Sequence, residues 1–250
     1  MLDVKELTVR FGGLVAVNDA SFTVGDNEVM SVIGPNGAGK TTLFNAVSGF
    51  VAPTKGTVSF AGKAISRRKP HQIARLGLVR TFQKRSFFPG LTVRESVHIG
   101  LREAHGHGWV PHRKPTGDQL GVDDILSTTS LDGRADEVAE SLPYGEQRLL
   151  GVAIALTRQP KMLLLDEPCA GMNAVEVDRM IHLIGDLRER GLSLVVVEHH
   201  MRFVMGISDR VIVLDHGVKL AEGSPQEVRA NPEVIEAYLG KGILDHDESA

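Results

Sequence analysis

Two short segments of this chain carry residue types able to do chemistry on a phosphate. The first is Gly34-Pro35-Asn36-Gly37-Ala38-Gly39-Lys40-Thr41-Thr42, which fits G-x-x-x-x-G-K-[ST] without a mismatch. To surround a polyphosphate, backbone N–H groups must turn inward, and glycines at 34, 37 and 39 permit that path. The helix that follows would aim its positive end at the same anion. Lys40 would supply a full charge to the β- and γ-phosphates, and Thr41 a hydroxyl to Mg²⁺. The second segment is Asp166-Glu167, which closes an apolar run over 162–165. A carboxylate at the end of a buried strand in an α/β sheet lies where ligands bind. Asp166 is placed to hold the hydration shell of Mg²⁺, and Glu167 to orient an attacking water or take its proton. A chance glycine turn, or an acidic pair starting a helix, would explain either segment alone. Neither explains the lysine between strand and helix together with acids that follow four apolar residues.

The elements that must hold these segments read as α/β. Alternating Leu2, Val4, Leu7, Val9 and Phe11, interrupted once, predict an opening edge strand. Turn signals at Gly12-Gly13 and Gly25-Asp26-Asn27 separate it from strands near 22–24 and 29–33, the latter running into Gly34. Leu43, Phe44, Val47 and Phe50 form the apolar stripe of a helix, and 56–60 is a further strand. Thr92-Val93-Arg94-Glu95 is a capping box that opens a helix toward Gly100. A buried helix over 149–156 stops at Gln159-Pro160, so the block from about 85 to 158 reads as a mainly helical insertion. Strands return at 162–165, 192–197, 211–214 and 218–221. Helices lie between them from Asn173 to Gly191 and over 201–207, and a last one starts at a Ser224-Pro225 cap.

At 250 residues, 42% hydrophobic and 24% charged, the chain is long enough for one large domain, or one domain with a subdomain inserted. A net charge of -3 argues against a nucleic-acid binder working through one strongly basic face. The single cysteine, Cys169, excludes an intramolecular disulfide framework and fits a reducing compartment. Nothing near it would depress its pKa, so it reads as a packing residue. No apolar run approaches the roughly 20 residues of a membrane span, and Met1 to Glu6 lacks a signal-peptide apolar region. A cytoplasmic protein is expected. His105, His107, His112 and Trp109 fall in a Gly/Pro-rich stretch over 106–121 or beside it, and read as a solvated loop rather than a metal site.

Between the two phosphate segments, Leu142-Pro143-Tyr144-Gly145-Glu146-Gln147-Arg148 resembles the signature of ABC-type ATPases, whose family form is L-S-G-G-Q followed by a basic residue. Gln83, in Thr81-Phe82-Gln83, is similar to that family's Q-loop, and His199 to its switch histidine. Phe11 resembles the aromatic that stacks on adenine, Val17 the apolar residue beside the ribose, and Ala170-Gly171-Met172-Asn173 the D-loop. The matches keep the family's order from Phe11 to His199, nearly the whole chain. The resemblance implies an α/β P-loop NTPase (RecA-like) core with an antiparallel β subdomain and an inserted α-helical subdomain, the ABC ATPase fold. Its core would be 1–84 and 159–250, and its helical part 85–158. It implies ATP and Mg²⁺ as cofactors. Lys40, Glu167, His199 and Gln83 would be catalytic, and Thr41, Gln83 and Asp166 would stand at the metal. Residues 34–42, Phe11, Val17, Tyr144, Gly145 and Glu146 would surround the nucleotide. As partners it implies a second ATPase subunit, identical or paralogous, closing head to tail so that Gly145 faces Lys40 and Thr41 of the other chain. It also implies integral-membrane permease subunits whose helix enters the helical insertion, indirectly a solute-binding protein, and a place on the inner face of the cell membrane.

The departures from the family form narrow the branch. Pro143 stands for the signature serine and has neither hydroxyl nor N–H, while Tyr144 stands for glycine and Glu146 for glutamine. The Gly145 N–H and the helix start remain for an anion, but Glu146 is unfavourable near phosphate unless it points away. Asn173 in place of aspartate loses a charge and keeps hydrogen bonds. Tyr144, the Glu198-His199 pair, Met205 to Arg210, and the ending Glu222-Gly223-Ser224-Pro225 through Ala237-Tyr238-Leu239-Gly240 are similar to ATPases of branched-chain amino acid importers. Urea and short-amide importers stand close, and the lipopolysaccharide-transport ATPase shares part of the pattern. A soluble ABC protein of translation or DNA repair is disfavoured by the single cassette and the lack of heptads. A non-hydrolysing nucleotide sensor, suggested by Pro143 and Glu146, is opposed by Glu167 and His199. Arg67-Arg68-Lys69 reads as a solvated face, His200 as the start of the next helix, and Lys84-Arg85 leaves contact with a membrane partner open.

Overall fold

The computed structural model describes residues 1–81, 87, 90–104 and 121–239. The chain opens with β1 (Leu2–Phe11) and β2 (Leu14–Val24), then β3 (Val29–Ile33), α1 (Lys40–Val47), β4 (Lys55–Phe60) and β5 (Lys63–Ala64). Next come α2 (Pro70–Ala74), β6 (Leu78–Arg80), α3 (Val93–Ala104), α4 (Val122–Thr128) and α5 (Tyr144–Leu156). The remainder is β7 (Met162–Asp166), α6 (Ala174–Glu189), β8 (Ser193–Val197), α7 (Met201–Ile207), β9 (Arg210–Asp215), β10 (Val218–Gly223), α8 (Pro225–Ala230) and α9 (Pro232–Leu239).

Among the described residues, two sheets form. The smaller runs β2-β1-β4-β5 and is antiparallel. The larger runs β10-β9-β3-β8-β7-β6, parallel throughout except for β10 against β9. β1 is therefore interior, with β2 on one side and β4 on the other, and not the edge strand that its pattern suggested. Alternation reports one buried face, and says nothing about how many neighbours a strand pairs with.

Every residue of β3, β7 and β8 is buried, as a parallel sheet covered on both faces requires. Strand periodicity divides them between two cores. Leu163, Leu165, Leu194 and Val196 pack with Val97, Leu126, Leu150 and Met180 of α3–α6. Leu164, Val195, Met30 and Val32 pack with Phe44 and Val47 of α1 and with Val4, Val9 and Phe60 of the small sheet. Helices α3–α6 thus cover one face of the large sheet, and α1 with the small sheet covers the other. α3 opens as its capping box demands, Glu95 N donating to Thr92 Oγ1 (3.1 Å) and Thr92 N to Glu95 Oε2 (2.8 Å).

Phe50 does not join the α1 stripe. The helix ends at Val47, and the Phe50 ring is half-exposed beside Arg80. α2, β6 and α9 were not foreseen; β6, at three residues, is too short to carry a period. Gln83, Lys84 and Arg85, and the histidine-rich stretch with His105, His107, Trp109 and His112, lie outside the described residues.

Candidate functional site

β3, β8 and β7 are parallel neighbours about 4.8 Å apart, so their carboxyl ends emerge side by side. The glycine-rich loop follows β3, His199 follows β8, and Asp166-Glu167 end β7. Sheet order thereby gathers residues that are far apart in sequence.

The loop is wedged between the two sheets. At Gly34 (φ 150°) a Cβ would stand 2.1 Å from the Leu214 carbonyl oxygen, and at Gly39 (φ 99°) 2.3 Å from that of Ala16. Only glycine fits either place. The turn after β9 fixes the loop further, Gly217 N donating to Ala38 O (3.0 Å) and Asn18 N to Gly217 O (2.8 Å). Lys40 is buried, its Nζ donating to the carbonyls of Gly34 (2.5 Å) and Pro35 (3.0 Å). Burial pushes its ammonium below the usual lysine range, against the opposing pull of Glu167, Asp166 and Glu198. Ala38 is buried, Gly39 and Thr42 are half-buried, and Asn36, Gly37 and Thr41 are exposed.

Asp166 is buried at the end of β7, and its Oδ2 accepts from Arg80 Nη2 at 2.8 Å. Its Oδ1 is buried without a hydrogen-bond partner. Glu167 takes the left-handed conformation (φ 48°), uncommon for a residue with a Cβ, and its N–H is fixed to Val197 O at 2.9 Å. Glu198 is a fully buried carboxylate: Oε1 accepts from Cys169 N (2.8 Å), and Oε2 from His199 N (2.8 Å) and His200 N (3.1 Å). The His199 ring is exposed, whereas His200 caps α7, its Nδ1 accepting from Phe203 N at 3.3 Å. Sequence reasoning passed over Arg80, and took Glu198 only as the neighbour of His199. The available signal was a charged residue ending an otherwise apolar run.

Burial, with Glu198 adding to it, pushes the Cys169 thiol far above its ordinary range. The native chain should therefore resist a thiol reagent such as DTNB at pH 8 and release one reactive thiol on unfolding. Rapid labelling of the native chain would contradict this burial.

The remaining predicted residues divide. Phe11 ends β1 with its side chain half-exposed. Val17 is buried and pairs with Val9, and the carbonyl of its neighbour Ala16 borders the loop. Tyr144 opens α5 exposed, packed on Gly171. Gly145 lies so close to Glu176 that a Cβ would stand 2.5 Å from its Oε1. Glu146 is ion-paired to Arg134 at 3.1 Å, which answers the repulsion its carboxylate would otherwise bring. Asn173 uses its side chain to cap α6, accepting from Glu176 N at 3.0 Å. The signature start is thus built onto α6, Arg134 and the loop at Gly171.

Among the described residues no cluster of three or more His, Cys, Asp or Glu is arranged for a metal. Mg²⁺ needs no such cage, since phosphates and water fill most of its sphere and one or two protein oxygens suffice. The orphan Asp166 Oδ1 and the exposed Thr41 fit that demand.

The ABC transporter family model matches residues 17–170, covering both the glycine loop and the acidic pair. The chain belongs to the ABC transporter family. A second model, Branched-chain amino acid ATP-binding cassette transporter, matches residues 218–243 of this ABC protein. It is 41% identical over 250 residues (96% of this chain, 98% of the relative) to the high-affinity branched-chain amino acid transport ATP-binding protein LivG of Salmonella typhimurium. It is 40% identical, with the same coverage, to BraF of Pseudomonas aeruginosa, which carries the same description. An ATP-binding cassette of an ABC transporter, solved in its ADP conformation, superposes with a TM-score of 0.85 at 29% identity, over 96% of this chain and 99% of that one. The fold is that of the ABC ATPases. Among the described residues no helix is long and apolar enough to cross a membrane.

Proposed function

We propose that this ABC protein is the ATP-binding and ATP-hydrolysing subunit of an importer for branched-chain amino acids. The observation that carries the ATPase is the meeting of residues 34–42 with Asp166-Glu167 at the ends of β3 and β7. The solute class is supported by the match over 218–243 and by the two bacterial relatives.

Little covalent help is needed for phosphoryl transfer, so this chain's residues act by position and charge. The N–H groups of 34–42 and the start of α1 hold the phosphates, and Phe11 offers its ring to the adenine. Lys40 exchanges the carbonyls of Gly34 and Pro35 for phosphate oxygens. Thr41 and Asp166 Oδ1 would hold Mg²⁺, with Gln83 beside it; when bound, the ion neutralises charge on the phosphates. Glu167 orients water and takes its proton as the water oxygen bonds to the γ-phosphorus and the bond to the bridging oxygen breaks, releasing ADP. His199, exposed above β8, donates to the γ-phosphoryl oxygens.

A second ATPase subunit completes the site in this reading, its exposed Tyr144 and buried Gly145 facing the nucleotide from the head of α5. Permease subunits hold the pair on the inner face of the cell membrane, and a solute-binding protein supplies the cargo. In proteoliposomes holding the chain with its permease and binding protein, labelled leucine should accumulate only with ATP, and not with Lys40→Ala. ATP turnover stimulated by another solute, but not by leucine, isoleucine or valine, would overturn the assigned cargo.

A further inference from the structure

Arg80 has no place in the mechanism above, yet among the described residues it is a heavily engaged cation near the site. Its side chain is 6% exposed and lies on β6, the strand paired with β7. One end of the guanidinium, Nη2, donates to Asp166 Oδ2 at 2.8 Å. The other, Nη1, donates to Asn45 Oδ1 at 2.7 Å and to Ser48 Oγ at 3.0 Å. The rings of Phe44 and Phe50 stand 5.6 and 5.8 Å from it, within cation–π range.

An arginine facing a buried carboxylate commonly pairs with both oxygens in parallel. Here it does not. One arm takes a single oxygen, and the other reaches the far half of α1, the helix that begins with Lys40 and Thr41. Asp166 Oδ1 is left buried and unpartnered. A brace serving stability alone would gain by saturating both oxygens, because an orphan buried acceptor costs free energy. Holding one oxygen while reserving the other is what a ligand-orienting neighbour does at a metal site.

We propose that Arg80 is a positioning residue. By bridging β7 to α1 it sets the Asp166 carboxylate, with Oδ1 forward, to hold a divalent cation on the nucleotide. This rests on the reading of Asp166 as a metal-site residue. A planar fork is needed, since the compact ammonium of lysine does not span Asp166 and Asn45 at once.

The test is Mn²⁺ affinity of the full chain with ADP, read by electron paramagnetic resonance, beside ADP affinity in EDTA. Arg80→Met is expected to weaken Mn²⁺ binding roughly 10- to 100-fold, the range for lost support of a metal ligand, with ADP affinity in EDTA preserved. Arg80→Lys, which keeps the buried charge should the methionine variant not fold, is expected to lose severalfold. Parent-like Mn²⁺ affinity in either folded variant overturns the proposal, as does equal loss of ADP affinity in EDTA. If the parent chain with ADP holds Mn²⁺ no better than free ADP does, the metal reading of Asp166 falls, and the role of Arg80 with it.

Discussion

Glu167→Gln is expected to slow ATP hydrolysis by about 10²- to 10⁴-fold, the usual contribution of a positioned base, while ATP still binds. The substitution is nearly isosteric, and the left-handed turn at 167 is held through its backbone N–H on Val197 O, which the amide leaves untouched. What changes is the ability to accept a proton from water. With the chemical step blocked, ATP-bound chains should accumulate as a closed pair, visible as an ATP-dependent shift to dimer in size-exclusion chromatography. Release of phosphate at the parent rate would remove Glu167 from the chemistry altogether.

Lys40→Ala should act earlier, on binding. A hydrogen bond to a charged group contributes about 1.5–3 kcal/mol, so ATP affinity should fall about tenfold to a hundredfold. Turnover should fall further, because charge on the γ-phosphoryl grows as the reaction proceeds. Alanine also leaves the Gly34 and Pro35 carbonyls without their donor, so the nucleotide-free loop should lose order as well. The burial that lowers the Lys40 pKa gives a separate signature. A base whose pKa is lowered gives up its proton at lower pH than free lysine does. Parent affinity for ATP should therefore weaken as pH rises into the alkaline range, while the alanine variant stays flat there. Calorimetric titrations across pH would show both, and a parent curve parallel to that of the variant would contradict the role.

The core strands and the phosphate segments were legible because each is written locally. β7 is an apolar run closed by Asp166, β3 is apolar but for Ser31 and runs into the glycine loop, and the α3 and α6 caps lie within four residues of sequence. What escaped reading is nonlocal. Arg80 and Asp166 are 86 positions apart, and Cys169 and Glu198 are 29 apart, so nothing in either neighbourhood announces the partner. Glu198 looked like half of a motif pair; its buried clasp on two turns emerges only once β7 and β8 lie side by side. Val17 shows a related ambiguity: an apolar residue beside a ligand and one in the core look alike in sequence, and here the side chain is buried. Glu146 raised a real electrostatic objection, and its answer, Arg134, sits on a separate short 3₁₀ turn.

The three amide hydrogens gathered by Glu198 have a mechanical consequence. If the chain near Cys169 moved without the chain near His199, a carboxylate oxygen would lose its donor in the dry interior, which costs free energy. The two turns are therefore tied through one side chain, which links the backbone that follows Glu167 to the backbone of His199. Flexing on nucleotide entry has to be taken up elsewhere, at joints that this clasp does not span.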